Sequence, residues 1–360
     1  MRVKKVEDLR QERGLDCVVI AGQPNVFYYT EFRGYGALVD CDGRQALVTT
    51  VLEMNRAITT GLEVLVADPS GIVKEGDSVR VFNGRLSEAV ASIVGSKKVG
   101  IDKAWVDNAL LNALSQKMSL EDVSVQVRDQ RAVKDENEID IIKTAGEITR
   151  RALKRALEEL EPGMTEREFS AIVDYYLKRY GGEGYAFDTI VASGRNAAFP
   201  HHIPSDERLS PPVLLVDWGA KFRGYCFDST RTIGTTRRKE VRKAYEAVLE
   251  AQLTAIDMVS EGVKASELDG KAREVLAKYG LDKYFHHSLG HGVGVEIHEY
   301  PTIGPGSNDV LKKGMVITIE PGVYMRDFFG IRIEDTLVVG SRKAEVLETL
   351  PKDYTELLLF

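Results

Sequence analysis

From residue 136 onward one order of elements is written twice, and this repetition constrains the fold more than any other feature of the chain. The pattern predicts a long helix over 136–160, stopped by Glu161-Pro162-Gly163. A second helix opens at Thr165, with Glu168 three residues on as a capping box, and runs to Gly181-Gly182. The run AFDTIVASG, the stretch AAFPHH and a hairpin over LLVDWGAKFRGYCFDSTRT (214–232) follow. The order then returns. A helix over 238–260 ends at Glu261-Gly262, and another starts near Ser266, with Asp269 three residues on, and ends at Gly280. The segment HHSLGHGVG comes next, then the hairpin VITIEPGVYMRDFFGIRIEDTLVV. Residue identity between the two runs is slight, so the parallel lies in the order. It predicts two related α+β halves about a pseudo-twofold axis, with a site between them.

The region in front alternates short strands with helices. VKKVEDLRQERG (3–14) reads as a helix ended by Gly14, and DCVVIAG (16–22) and QALVTT (45–50) as strands. A strand tip and a helix fit 78–95, a strand 97–102, a helix 104–118, and a further strand VSVQVRD (123–129). Such alternation implies an α/β sheet domain. The polar segment RDQRAVKDENEID (128–140) separates the two regions, so the expected domains are 1–127 and 128–360. A length of 360 residues suits two cores. All six histidines lie beyond residue 200, which places the expected chemistry in the second domain.

Composition removes several classes of function. Net charge is −7 with no long basic block, so no nucleic-acid surface is indicated. No apolar run approaches the ~18 residues of a membrane span. The start, MRVKKVEDLRQERGLD, is charged and lacks the apolar core of a secretory signal, so a cytoplasmic location is expected. Cys17, Cys41 and Cys226 lie far apart without a C-x-x-C. They read as three separate buried thiols, not as a disulfide framework or a zinc site.

Two acids stand where apolar strands normally exclude charge. Asp217 follows Leu214-Leu215-Val216, and Asp228 sits among Tyr225, Cys226 and Phe227. With the turn centred between Phe222 and Arg223, the two would be directly opposed on one face, with Cβ atoms ~4.5–5.5 Å apart. Like charges at that distance repel unless a proton or a cation lies between them. The second hairpin repeats the arrangement, since Glu320 and Glu334 are equidistant from a turn at Asp327. Pro321 cannot donate to a ladder, so an irregular strand is expected there. An arginine could instead neutralise one of the acids, and Arg231 and Arg332 are available. Four carboxylates with His291, set in G-H-G-V-G, fit a two-metal centre. Oxygen-rich ligation with one imidazole suits manganese, cobalt or iron, with zinc as a further fit. His286, His287, Glu296 and Glu299 read as surface, packing or structural residues.

The motifs D-W-G-A…G-Y-C-F-D-S-T-R-T, G-H-G-V-G-V-E-I-H-E, I-E-P-G and R-I-E-D resemble those of the pita-bread metallopeptidases, which include prolidase, aminopeptidase P and methionine aminopeptidase. The first domain, notably QPNVFYYTEFRG (23–34), is similar to the creatinase-type N-terminal domain of prolidases. The resemblance implies a pita-bread catalytic domain behind a creatinase-like α/β domain. It implies that Asp217, Asp228, His291, Glu320 and Glu334 hold two divalent ions, with Asp228 and Glu334 bridging. It also implies that His201 and His298 line the substrate site, and that Phe187 and Ile190 match positions around the substrate's apolar ring. His202, next to the motif histidine, reads either as a surface neighbour or as a participant.

The activity so implied is hydrolysis of the bond preceding proline in Xaa-Pro dipeptides, with Glu320 also moving the proton of the attacking water. A homodimer is implied by resemblance alone. One residue departs from the pattern. Some archaeal-type prolidases carry an arginine four residues after the second histidine, where this chain has Thr302. That keeps aminopeptidase P action on longer peptides as the alternative, with Arg195 as another candidate for reading a carboxylate. Methionine aminopeptidases usually lack a comparable first domain. A member that only binds peptides would lack a reason to keep all five ligands. A di-metal phosphoesterase would want an Arg/Lys cluster among the ligands, which is missing.

Overall fold

The structure is a computed structural model and describes residues 2–354 other than 75, 77, 78, 96 and 117. Ser78 and Lys117, which fall in two of the elements expected from sequence, lie outside the described residues. The chain divides into two compact units, Met1–Arg131 and Ala132–Phe360.

The first unit is built on one mixed sheet of β1 (Cys17–Ile20), β2 (Gly36–Cys41), β3 (Arg44–Thr50), β4 (Glu63–Ala67), β5 (Arg80–Phe82), β6 (Lys98–Ile101) and β7 (Ser119–Asp122). Their order is β5–β4–β3–β2–β1–β6–β7. Helices α1 (Lys4–Glu12), α2 (Gln23–Thr30), α3 (Met54–Ile58), α4 (Leu86–Val94) and α5 (Asn108–Ser115) pack on these strands. The unbroken apolar run of β1 fits a strand buried throughout.

Two expectations fail here. The strand expected over 123–129 is helix α6 (Ser124–Ala132), and the strand lies just before it as β7. Val123 and Val127 are buried and Val125 is exposed. Those valines satisfy a period of two and an i, i+4 spacing equally well. Asp122 decides between them, because its carboxylate accepts from the Ser124 backbone N–H and hydroxyl and turns the chain out of the strand. The second failure concerns the thiols. Cys17 and Cys41 form a disulfide, and only Cys226 is a free, buried thiol. The antiparallel register of β1 and β2 sets Cys17 directly opposite Cys41, with Cα atoms 4.2 Å apart. A separation of 24 residues conceals this in the sequence.

The second unit contains two helix pairs, α7 (Glu136–Glu158) with α8 (Glu166–Arg179) and α9 (Lys239–Met258) with α10 (Ala265–Lys278). The capping box of α8 forms as expected, with Thr165 and Glu168 satisfying each other's backbone N–H. The start of α10 differs. It begins at Ala265 without a side-chain cap, and Asp269 is buried, where it accepts from Arg273 and from the backbone N–H of Leu289.

After each helix pair comes sheet. The first half contributes β8 (Gly184–Tyr185), β9 (Ile190–Ser193), β10 (Val213–Trp218), β11 (Ala220–Phe222), β12 (Tyr225–Cys226) and β13 (Ser229–Gly234). They pair as β13–β10–β9 and β12–β11–β8. The second half contributes β14 (Gly290–Gly292), β15 (Glu299–Ile303), β16 (Val316–Ile319), β17 (Gly322–Met325), β18 (Phe329–Arg332), β19 (Asp335–Val338) and β20 (Glu345–Val346). These pair as β15–β14–β16–β19–β20 and β17–β18. One apolar core, including Leu215, Val248, Leu268, Ile317 and Ile331, runs through both halves. The halves approach closely where β18 passes the 3-10 turn Gly194–Ala198. A Cβ on Gly330 there would stand 1.8 Å from the Ala197 carbonyl oxygen. Among the described residues, no helix is long and apolar enough to cross a membrane.

Candidate metal centre

The first hairpin brings its two acids together by a register other than the expected one. Asp217 pairs with Thr230, and Phe222 with Tyr225. The turn is therefore Arg223-Gly224, one residue later than expected, and both residues have positive φ (45° and 82°). This is the twist that a two-residue hairpin loop requires. The later turn makes Asp217 and Asp228 diagonal neighbours instead of directly opposed ones. They still share a face, since alternation is preserved. Gly219 falls opposite Asp228, where a Cβ would lie 1.8 Å from the Phe227 carbonyl oxygen. Strand pairing lapses at Phe227-Asp228, between β12 and β13.

The second hairpin has the expected register. Ile319 pairs with Asp335 and Gly322 with Arg332, around a turn whose Asp327 has φ 62°. Glu320 and Glu334 therefore face each other at the gap between β16–β19 and β17–β18. Pro321 stands in that gap, at the irregularity expected of it.

The side chains converge. Asp228, His291 and Glu334 each offer an atom within 4.8 Å of the others. His291 Nε2 lies 3.5 Å from Asp228 Oδ2 and 3.3 Å from Glu320 Oε1. Asp217 Oδ1, Asp228 Oδ1 and Glu334 Oε1 are buried with no hydrogen-bond donor among the described residues. Burial, and then the neighbouring Asp217 and Glu320 charges, push the Asp228 carboxyl well above its ordinary range. Glu334 is raised in the same way by burial and by Asp228. Burial, opposed in part by Arg332, pushes Glu320 up to about 8. His291 is pushed down to about 3, by burial first and by His298 second. Its Nδ1 lies 3.1 Å from the Gly292 carbonyl, an acceptor only. The proton of the neutral ring therefore sits on Nδ1, and Nε2 offers a lone pair to the acids. Carboxylate oxygens without donors around a bare imidazole nitrogen form a donor set for divalent cations.

Around this cluster lies a chain of contacts that reaches a residue read as packing. Arg332 Nη2 donates to Asp217 Oδ2 (2.5 Å) and Nη1 to the Tyr324 hydroxyl (2.7 Å). The Tyr324 hydroxyl lies 2.9 Å from His287 Nε2. Thus Arg332 does neutralise one acid, as the alternative allowed, while that acid's other oxygen is left to the centre. His287 is half-buried and pushed down to about 3, chiefly by burial and then by Arg332. Its sequence signal, a histidine four residues before His291, was too weak to separate it from packing. Arg231 pairs with Asp335 instead (2.9 Å).

The expected substrate residues border the cluster to different extents. His298 is exposed, and its ring centroid lies 4.3 Å from that of His291. Burial and His201 lower its pKa. His201 is exposed, near enough to bias both His298 and His287. Its neighbour His202 is anchored 2.7 Å from the buried Glu166 Oε2, which no sequence signal pointed to. Phe187 Cε1 lies 3.2 Å from where Gly219 would carry a Cβ, so its ring covers the site's open glycine. Ile190 pairs with Asp217 across β9–β10 and is mostly core, 8% exposed. Thr302 is exposed and pairs directly with His291 across β14–β15. Glu299 is buried against Lys134 (3.1 Å). Arg195 pairs with Glu207 at the surface, away from the acids' contacts.

Comparison with known proteins gives the family. The model of metallopeptidase family M24 matches residues 140–341, and that of the creatinase/prolidase N-terminal domain matches 2–133. An Xaa-Pro dipeptidase of Pyrococcus horikoshii is 38% identical over 95% of this chain and 96% of its own. A solved Xaa-Pro dipeptidase from Bacillus anthracis superposes with a TM-score of 0.89 at 29% identity, covering 99% of both chains. An X-Pro aminopeptidase from Thermotoga maritima superposes with a TM-score of 0.86 at 32% identity, covering 97% of this chain and 100% of its own. The chain therefore belongs to metallopeptidase family M24 and carries the creatinase/prolidase N-terminal domain.

Proposed function

We propose that this chain hydrolyses the peptide bond preceding proline in Xaa-Pro dipeptides, with Asp217, Asp228, His291, Glu320 and Glu334 holding two divalent ions. The observation that carries the metal centre is the pair of donor-free buried oxygens on Asp228 and Glu334 gathered with the His291 lone pair, with the donor-free Asp217 oxygen on a carboxylate whose charge acts on Asp228. Proline as the substrate rests on the likeness to Xaa-Pro dipeptidases over nearly the whole chain. Manganese or cobalt suits the donors best, with iron or zinc as alternatives. A homodimer, by resemblance, and a cytoplasmic location complete the reading.

Two divalent ions held there would supply hydroxide from water at neutral pH and would polarise the scissile carbonyl. Glu320 accepts the proton given up by the attacking water and passes it to the proline nitrogen as the C–N bond breaks. His298 and His201 donate to the carbonyl oxygen as it gains charge. Arg332 holds Asp217 in place from one side, and Tyr324 with His287 holds Arg332. Phe187 and Ile190 offer an apolar wall to the pyrrolidine ring. A tertiary X-Pro amide carries no N–H, so a site that reads shape instead of that donor can favour it.

A second reading, action on longer peptides from the amino end, is favoured by Thr302. An exposed hydroxyl opposite His291 cannot replace a bidentate guanidinium for the dipeptide's carboxylate. The deciding measurement compares an Xaa-Pro dipeptide with an Xaa-Pro-Yaa tripeptide after loading manganese or cobalt. Faster turnover of the dipeptide is expected. Preference for the tripeptide would select the aminopeptidase reading, and turnover of neither would reject both.

A further inference from the structure

We propose that Glu166 is a positioning residue that fixes the segment 193–205 and thereby sets where His201 points; this rests on the peptidase reading above. Glu166 is the first residue of α8 and is fully buried (0% exposed). A buried carboxylate is rare without a cationic partner, and among the described residues neither lysine nor arginine hydrogen-bonds to Glu166. Its donors all come from one segment. They are the Ser193 N–H (2.9 Å) and hydroxyl (3.4 Å), Asn196 Nδ2 (3.1 Å), His202 Nε2 (2.7 Å), and the Ser205 N–H (3.2 Å) and hydroxyl (2.7 Å). Burial raises its pKa, but the bonds from Ser205, His202, Ser193 and Asn196 outweigh it and hold the group below the ordinary glutamate range.

That segment has little regular structure of its own after Ala198 until β10 begins at Val213. Its shape therefore comes from what it is tied to. On the far side of His201, the Pro200 carbonyl accepts from Arg332 Nη1 (3.2 Å). His201 thus stands between two anchored neighbours. Pro200 is tied to the arginine that holds Asp217, and His202 is tied to Glu166. The exposed imidazole between them acquires a direction with respect to the acids. A displacement of about 1 Å in such a group can cost on the order of a hundredfold in rate.

The experiment uses the full chain loaded with manganese, in variants H202A, H202Q and E166Q, each also made in the H201A background. Metal content, kcat and KM on an Xaa-Pro dipeptide are read, together with amide hydrogen exchange across 196–205. H202A is expected to lower kcat about tenfold with KM and metal content within about twofold. H202Q, which keeps an N–H donor, should recover most of the loss. In the H201A background H202A should cost nothing further, because its effect acts through His201. Equal losses in both backgrounds, or no loss in either, would overturn the proposal. E166Q and H202A should exchange faster over 196–205 while α8 stays protected. Unchanged exchange there would also overturn it. A wild-type protein that cleaves no proline peptide would sink the peptidase reading instead, and exchange would still decide whether Glu166 fixes the segment.

Discussion

The two halves of the catalytic unit follow one plan and fill it differently. In each, an acid on the second helix reaches a backbone N–H of the histidine-bearing segment that follows, Glu166 to Ser193 and Asp269 to Leu289. In each, the hairpin ladder lapses where an acid must turn inward, at Asp228 in one and at Glu320 and Glu334 in the other. The differences are in charge. Asp269 keeps an arginine beside it, and Arg273 also donates to the Phe285 and His287 carbonyls. Among the described residues, Glu166 has only neutral donors and one histidine. The halves also exchange cations. Arg231 of the first pairs with Asp335 of the second, and Arg332 of the second pairs with Asp217 of the first. A continuous ladder occupies backbone groups and sends alternate side chains to opposite faces. Acids can gather from two ribbons only where each ribbon gives up part of its pairing, and the arginines hold the ribbons together there.

The most damaging way to break this symmetry is to remove one acid from each half. Asp228→Asn and Glu334→Gln should each lower turnover on the order of a thousandfold or more and lower metal content, as elemental analysis of the purified variants would show. Full metal retention by Asp228→Asn would mean the first half supplies no ligand. Breaking a cation exchange should come next. Arg231→Met leaves the fully buried Asp335 short of one of its cations and should cost about 3 kcal/mol of stability, read by urea unfolding. A loss within ~0.5 kcal/mol would make that pair dispensable.

His298→Ala tests the second half's donor without touching a ligand. We expect kcat to fall about a hundredfold with metal content retained; loss of metal would place His298 among the ligands. The smallest effect is pH dependence in chelator-treated protein. Asp228, Glu334 and Glu320 have raised pKa values in the fold, Glu320 reaching about 8. Their stabilising contribution is complete below the ordinary glutamate value and is lost as pH rises through the folded value. His291 and His287, both lowered to about 3, oppose this only below their ordinary 6.5. Between about pH 7 and 8 the melting temperature should therefore fall, and bound manganese should reduce the fall. A rise over that window without metal would contradict the burial of unpaired acids.

Much of this was legible where a single local signal decides the outcome. Thr165 and Glu168 announce a helix start because both caps are made within four residues. The second hairpin's register follows from the even spacing of Glu320 and Glu334 about Asp327. The five candidate ligands came from motif likeness and strand geometry together. What escaped depended on long-range pairing or on weak turn chemistry. Arg223 at φ 45° is an unusual first residue for a tight turn, and missing it displaced the first register by two. The valines of 123–127 fit two periods, and an aspartate chose between them. Cys17 meets Cys41 only once β1 lies against β2. Glu166 meets His202 36 positions away, and His287 meets Tyr324 37 positions away.

Gly330 has a consequence for the segment that carries His201. Its lone hydrogen is the clearance that lets the Ala197 carbonyl rest against β18. Two residues along that strand lies Arg332, and two beyond it Glu334. Any methyl at 330 would act as a wedge between β18 and the turn that leads to His201. The fit of the His201 segment against the glutamate-bearing hairpin is thus set by a residue with no donor atom in its side chain.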